Sequence, residues 1–586
     1  MIQKRITDNR QIFIWLLPLL FPMLNLLFMH YYIYFHHYME DAFLSYAFGV
    51  NLMVVLFDVF SIFLVFIVLS VGRLKISLLL TFITTLLWSF VNVFYVRFFG
   101  QYLPLSILSQ TTQLTDQAVV NSMIAGFQWT DMYYVLSLVF FVMLYIKIPV
   151  VELKRPVIFR LLLIPVFSFV GIFVIYSFYH ALKKETRGNS LLYEKRIKEL
   201  LYGDARNAYP NCTRFLIGSV RVIGGEIYDM LNEIELTPNQ RDLIVKESED
   251  MSQRFSNHII NPNIKNVVFV VLESFLSSPI DLKVDNKEIT PYLNSLKKER
   301  DVYYNGHVMP NITMGESGDG QFIFMTGILP LRDKLTVGEA KNQTLPSFPR
   351  LLKEYMGTNY TEIVTPSPPQ VWEQRHMNEV YGIQKMYCNY DVLGYSVNYL
   401  NDEQVFSLAM KSPCYQRQSF FTMILSYSTH QPYRSPVDDS FHLKDNTLSD
   451  AYKNYLIACH YTDKQLKKYI DFLKNKGVYN NSLIVITADH HAHLDALGMD
   501  GQVKKDLPLF IINGNIDTSK SWNGEMNQLD IFTTLLDVLG LKCKWHGLGH
   551  SILFSNYRNS VTDQVWDISE QIIKGKFFQT NQVIDN

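Results

Sequence analysis

The sequence predicts a two-part protein: an α-helical membrane-embedded first third, followed by an α/β domain built on a largely parallel sheet. Three observations predict it. Up to about Tyr179 the chain is dominated by Leu, Phe, Val, Ile and Tyr, and beyond that point charge returns to the level of soluble proteins. Five stretches in the first part are apolar enough to span a bilayer. From Asn266 onward, short apolar runs alternate with helical patterns. The chain has 586 residues, 18% of them charged and 14% aromatic, which excludes a disordered or fibrous protein. A formal net charge of -1 supplies no basic field for nucleic acid, and no nucleic-acid partner is expected.

A membrane span needs roughly 20 mostly apolar residues, because the hydrocarbon core is about 30 Å thick. Ile12–Phe35, Val50–Leu69, Ile76–Val96, Met132–Val151 and Leu161–Phe178 satisfy this. The first is too long for a signal-peptide core and no small-residue cleavage site follows it, so it reads as a retained anchor. Basic residues orient the spans. Lys4, Arg5 and Arg10 precede the first, Arg73 and Lys75 separate the second from the third, and Lys147, Lys154, Arg155 and Arg160 surround the link between the fourth and fifth. The alternate loops are nearly bare of Lys and Arg, with Arg97 the exception at a span edge. The pattern expects a cytoplasmic N-terminus, five crossings and an extracytoplasmic remainder. Asp58 falls inside the second span; an interhelical hydrogen bond is the plain reading and a functional carboxylate the sharper one. Residues 181–262 read as a helical amphipathic linker, with Leu191, Leu192, Ile197, Leu200 and Leu201 at helical spacing among Lys195, Arg196 and Lys198.

Residues 263–586 read as the α/β domain. Asn266–Leu272, Phe420–Leu425, Leu483–Thr487 and Leu507–Ile512 have the continuous apolar pattern of buried strands. Helical patterns such as Thr290–Lys298, Leu345–Met356, Tyr452–Asn475 and Gln528–Leu539 lie between them. Five cysteines (Cys212, Cys388, Cys414, Cys459 and Cys543) all fall outside the predicted spans, and the odd count leaves at least one without an internal partner.

Sites in such folds form beyond the carboxyl ends of the strands, so the polar residues that follow each strand are the candidates. Glu273 follows the first strand, Asp489 and His490 follow Leu483–Thr487, and His430 follows Phe420–Leu425 by a few residues. Carboxylates with imidazole suit a divalent cation such as Mn²⁺, Zn²⁺ or Mg²⁺; the alternative reading is that each is a solvated loop residue. In Asn311–Leu331 (NITMGESGDGQFIFMTGILPL), Gly315, Gly318 and Gly320 surround Ser317 ahead of an apolar run of helical length. A serine at a Gly-rich turn opening a helix can aim its hydroxyl at a phosphate, with backbone N–H groups favouring the anion.

Together these residues resemble the alkaline phosphatase superfamily in its membrane-bound transferase branch, and most of all the lipoteichoic acid synthases and related phosphoglycerol transferases. The motifs that carry the resemblance are LES at Leu272–Ser274, TPYLNSL at Thr290–Leu296, GESGDGQF at Gly315–Phe322, NDEQVF at Asn401–Phe406, STHQPY at Ser428–Tyr433, ADHH at Ala488–His491 and DLPLFI at Asp506–Ile511. The resemblance implies a five-span transmembrane domain over residues 1–180 and an extracytoplasmic sulfatase-like domain. It implies one divalent metal ion, Mn²⁺ before Zn²⁺ or Mg²⁺, held by Glu273, Ser317, Asp489 and His490. Ser317, standing where the family usually has Thr, would be the nucleophile and His430 the phosphate-contacting histidine. The family's Trp-x-Arg head-group motif is here Trp372-Glu373-Gln374-Arg375, so either Gln374 replaces the Arg or Arg375 takes its role one position later. His491 and His493 crowd the metal pair and are expected to be solvent-exposed.

The activity so implied moves a phosphoglycerol head group from phosphatidylglycerol to an extracytoplasmic glycan or glycolipid hydroxyl, through a covalent phospho-Ser intermediate, at a bacterial plasma membrane. The alternatives are a phosphoethanolamine transferase or a metal-dependent phosphodiesterase of the same superfamily. From a different class comes a catalytically dead receptor.

Overall fold

A computed structural model describes residues 17–36, 48–99, 127–151, 236–252 and 258–580 apart from short gaps at 333–334, 370, 395–397, 434–439, 495, 500 and 555, with isolated residues in 102–105 and 218–227. The chain divides into two compact units, residues 1–107 with 126–232 and residues 108–125 with 233–586.

In the first unit the helices are Leu20–His36, Phe48–Leu69, Leu74–Phe99 and Met132–Tyr145. Two segments among the described residues are long and apolar enough to cross a membrane, Asn51–Leu69 with mean hydropathy 3.0 and Leu74–Arg97 with 1.9. Leu17–Ile33 and Trp129–Tyr145 are shorter apolar helices. The expected fifth span, Leu161–Phe178, lies outside the described residues, as does Cys212. Of the five expected spans, two are thus long and apolar enough among the described residues, and two others correspond to shorter apolar helices.

Among the described residues the unit exposes apolar side chains and buries several polar ones among its apolar core. Met53, Val65, Leu69, Leu87, Leu136 and Phe140 are exposed, whereas Asn25, Asn51, Asp58, Thr85, Ser89 and Asn92 are buried. The buried groups join the helices: Ser137 Oγ donates to Asn25 Oδ1 at 2.8 Å, and Arg97 grips Asp131 through two nitrogens at 2.7 and 2.9 Å. An apolar exterior with polar side chains paired between helices is what a hydrocarbon surround stabilises. Asp58 takes the plain reading offered by its sequence: it accepts the backbone N–H of Ser219 at 2.6 Å and of Val220 at 3.3 Å.

The second unit is built on an eight-stranded sheet. Its strands, with a small separate ribbon (β2 and β3), are β1 Asn266–Leu272, β2 Lys283–Val284, β3 Lys287–Glu288, β4 Val302–Met309, β5 Tyr360–Val364, β6 Lys385–Tyr387, β7 Phe420–Leu425, β8 Ser482–Ala488, β9 Leu507–Ile512 and β10 Met526–Asn527. The order is β10-β4-β9-β8-β1-β7-β5-β6. The sheet is mixed, not wholly parallel, because β9 runs antiparallel to both β8 and β4. Every residue of β1, β8 and β9 is buried, which explains why their sequences are unbroken apolar runs. The four strands expected from sequence are all present. The added ones, β4, β5, β6 and β10, are shorter or carry polar residues and give no such run.

The register places the site. β1 lies parallel to β8 with Leu272 opposite Ala488, so the residues that follow, Glu273 and Asp489, leave neighbouring strand ends side by side. On the other flank β1 pairs with β7, and the Ser426 N–H donates to the Val271 carbonyl at 2.9 Å.

Candidate active site

The nucleophile turn is shaped by its own sequence. Helix Glu316–Thr326 begins directly after Gly315, so Ser317 stands in its first turn. Asp319 folds the turn: its Oδ2 accepts the N–H of Thr313 and of Gly315, both at 2.9 Å, and the Thr313 hydroxyl at 2.7 Å. Burial pushes the Asp319 carboxyl up to about 6 despite these bonds. Gly320 lets the helix approach the sheet. A Cβ there would lie 2.3 Å from the Asp489 carbonyl oxygen, closer than any side chain tolerates.

This close approach brings Ser317 to the strand ends. Its Oγ donates to Glu273 Oε2 at 3.2 Å and lies 3.2 Å from His490 Nε2. His490 Nε2 is 3.2 Å from Glu273 Oε1 and 3.7 Å from Asp489 Oδ2. One donor atom from each of Glu273, Asp489 and His490 falls within 4.8 Å of the others, and all three residues are buried. The four residues expected from sequence to share a cation are therefore together.

The supporting contacts fix each group. The Ser274 and His490 N–H groups donate to Asp489 Oδ1 at 2.9 and 2.8 Å, and the Ser274 hydroxyl donates to Glu273 Oε1 at 2.7 Å. His490 Nδ1 meets the His491 carbonyl at 2.9 Å, which turns Nε2 toward the carboxylates. Gln528 Nε2 donates to the Asp489 carbonyl at 2.6 Å. Ser274, Asp319 and Gln528 were not identified from sequence. Asp319 carries a local signal, a carboxylate closing a Gly-rich turn, whereas Gln528 reaches its partner only through the fold.

The donor set suits a cation. Two buried carboxylates face one imidazole, so with both ionised the trio would hold one excess negative charge even with His490 protonated. Burial and the neighbouring Glu273 carboxylate push Asp489 up to about 8. The two carboxylates together hold the His490 ring protonated against the effect of its burial. A divalent cation relieves this frustration, and the hard oxygens and imidazole are its usual donors.

The remaining candidates are placed as follows. A Cβ on Gly318 would lie 3.5 Å from the Trp372 ring, so the indole walls the nucleophile helix. Gln374 is buried and donates to Asn378 Oδ1 at 2.9 Å, while Arg375 is exposed. His430 follows β7, and its Nδ1 meets the Gln431 carbonyl. The expectation for His491 and His493 is corrected. Neither is solvent-exposed, and His493 Nε2 lies 3.4 Å from Glu316 Oε2 with 14% of its side chain accessible. They pack there because the loop after β8 folds back over the nucleophile turn. Among the described residues Cys388, Cys414, Cys459 and Cys543 are buried and unpaired.

Residues 265–541 match the Sulfatase family. Lipoteichoic acid synthase 2 of Bacillus subtilis is 26% identical over 535 residues, covering 84% of this chain and 76% of its own. The lipoteichoic acid synthase of Staphylococcus aureus is 24% identical over 511 residues, covering 80% and 74%. The integral membrane lipooligosaccharide phosphoethanolamine transferase A of Neisseria meningitidis shares the fold, with TM-score 0.53 and 16% identity over 94% of this chain and 99% of its own. Residues 265–541 thus form a sulfatase-like enzyme domain, in a chain similar over most of its length to the lipoteichoic acid synthases.

Proposed function

We propose that the protein is a metal-dependent phosphotransferase that moves a phosphoglycerol head group from phosphatidylglycerol to an extracytoplasmic glycan or glycolipid hydroxyl. One observation carries this reading: a serine hydroxyl at a helix N-terminus stands 3.2 Å from both a carboxylate and an imidazole of a three-donor cation cluster. Its likeness to the lipoteichoic acid synthases supports the glycerophosphate donor. Five crossings with the N-terminus in the cytoplasm, as the basic loops indicate, would set this domain outside the plasma membrane.

Glu273, Asp489, His490 and Ser317 would hold the cation, Mn²⁺ before Zn²⁺ or Mg²⁺. A divalent cation so bound lowers the pKa of a coordinated hydroxyl and offsets charge developing on a phosphate. Ser317 Oγ attacks phosphorus, the bond to the diacylglycerol oxygen breaks, and a phospho-Ser317 ester remains. An acceptor hydroxyl then displaces the serine oxygen. His430 hydrogen-bonds the phosphoryl group or takes the acceptor's proton. Trp372, with Gln374 or Arg375, contacts the head group. The likeness in fold to a phosphoethanolamine transferase keeps ethanolamine as the second reading of the head group.

The test is direct. The full-length protein is incubated in detergent with head-group-labelled phosphatidylglycerol or phosphatidylethanolamine. Transfer of label from phosphatidylglycerol alone is expected, and transfer only from phosphatidylethanolamine selects the second reading. Ser317→Ala should abolish turnover and protein-bound label while leaving the fold intact; undiminished turnover would remove Ser317 as nucleophile.

A further inference from the structure

The segment Ser426–Thr429, between β7 and His430, is clamped on both sides. Ser426 Oγ accepts the Glu273 N–H at 3.0 Å, and the Thr429 hydroxyl donates to the Glu273 carbonyl. The buried carboxylate of Asp402 accepts the N–H of Tyr427 at 2.7 Å and of Ser428 at 2.9 Å, and the Asp402 N–H donates to Ser428 Oγ at 3.0 Å. Thr462 donates to the other Asp402 oxygen at 2.6 Å. The serine and threonine hydroxyls of 426–429 are thus all used to fix the backbone. The one large side chain, Tyr427, is half-buried and forms part of a row of rings. It stacks on Tyr399 (centroids 4.6 Å apart, planes 28° apart) and on His430 (4.9 Å, 24°). Near-parallel rings at such separations attract beyond simple burial and fix each other's planes. His430 Nδ1 meets the Gln431 carbonyl, so Nε2 is the ring atom that remains for substrate.

We propose that Tyr427, backed by Tyr399 and locked through Asp402, is a positioning residue that holds the His430 imidazole in the orientation needed to meet the phosphoryl group or incoming hydroxyl. The proposal rests on the phosphotransfer reading of the site. Its chemical content is geometric. A ring free to rotate about χ1 and χ2 spends little time aimed at the reacting atoms, and misplacement of a general acid or base by about 1 Å costs up to about a hundredfold in rate. The row of rings removes that freedom without placing a polar group on the imidazole.

The experiment is a double-mutant cycle in the full-length protein. It measures diacylglycerol release from fluorescent phosphatidylglycerol and, separately, cleavage of the lipid-free diester bis(p-nitrophenyl) phosphate. Tyr427→Phe, which keeps the ring, should retain kcat within about twofold. Tyr427→Leu should lower kcat by about tenfold or more, with KM nearly unchanged and the thermal shift on adding Mn²⁺ preserved. In a His430→Ala background, Tyr427→Leu should change kcat by less than about twofold, because its effect passes through the imidazole. An unchanged kcat in Tyr427→Leu, an equal loss in the His430→Ala background, or loss of the Mn²⁺ shift would each overturn the assignment. Failure of the head-group reading looks different: wild-type protein would cleave the lipid-free diester but leave phosphatidylglycerol intact, and the cycle would still be read on the diester.

Discussion

Glu273 and Asp489 are legible in sequence because each ends an unbroken apolar run, and a polar residue there has nowhere to go but the rim of the sheet. Ser317 is legible for a different reason, three glycines around one hydroxyl. What could not be read is the shell that aims them. Ser426, Thr429 and Gln528 bond to backbone atoms of Glu273 and Asp489 across 153, 156 and 39 positions of chain. No local pattern marks such partners. The four donors also make a prediction. Because a cation lets both buried carboxylates ionise together, binding of Mn²⁺ should stabilise the fold, by about 2.7 kcal/mol at a concentration about 100 times Kd. Thermal unfolding with and without Mn²⁺ should show a rise in Tm that EDTA reverses and that Glu273→Gln or Asp489→Asn abolishes. A Tm indifferent to Mn²⁺ in the wild-type protein would rule out the cation site.

At the scale of elements, helix Pro291–Leu296 shows how far pattern reaches. Its apolar spacing is readable, yet its Thr290 makes no side-chain cap. The cap comes from Asp463 on helix Asp450–Asn475, whose oxygens each accept an N–H, of Tyr292 and of Leu293, at 2.8 Å. Burial outweighs those bonds and pushes the Asp463 carboxyl up to about 7. A carboxyl raised in the folded state binds a proton that the unfolded chain, with its pKa near about 4, has already released. Its stabilising contribution is therefore complete below pH about 4 and is lost as pH rises to about 7, a swing of at most about 4 kcal/mol. Asparagine cannot ionise, so the Tm difference between wild-type protein and Asp463→Asn should shift against the wild type between pH 5 and pH 8. A difference that stays constant across that range would mean that Asp463 does not titrate there. Strand β9 shows the opposite limit. Its run Leu507–Ile512 reads as a strand, but its antiparallel direction is not legible, because periodicity carries no information about chain sense.

At the scale of the whole molecule, composition alone separated an apolar region from an α/β domain, because lipid and water select opposite surfaces. The first unit, with Met53, Leu69 and Phe140 outward and Asn25, Asp58 and Arg97 inward, is suited to hydrocarbon. The number of spans is less legible, since length and mean hydropathy judge each helix alone, whereas Leu20–His36 carries His30 and Asn25 that are acceptable only against partner helices. A membrane-embedded unit in the same chain has a kinetic consequence for the phosphotransfer proposed. An enzyme so embedded would meet a lipid donor in two dimensions, so the donor's density in the surface, not its amount per volume, would set the encounter rate. In mixed micelles at subsaturating donor, diluting phosphatidylglycerol tenfold with nonionic detergent at constant bulk concentration should lower the initial rate about tenfold. Raising the total micelle concentration at constant surface fraction should leave the rate per enzyme almost unchanged. Cleavage of bis(p-nitrophenyl) phosphate, a water-soluble diester, should ignore both manipulations. A rate on phosphatidylglycerol that follows bulk concentration instead would mean that the donor reaches Ser317 from solution, and the apolar unit would then be an anchor with no part in substrate capture.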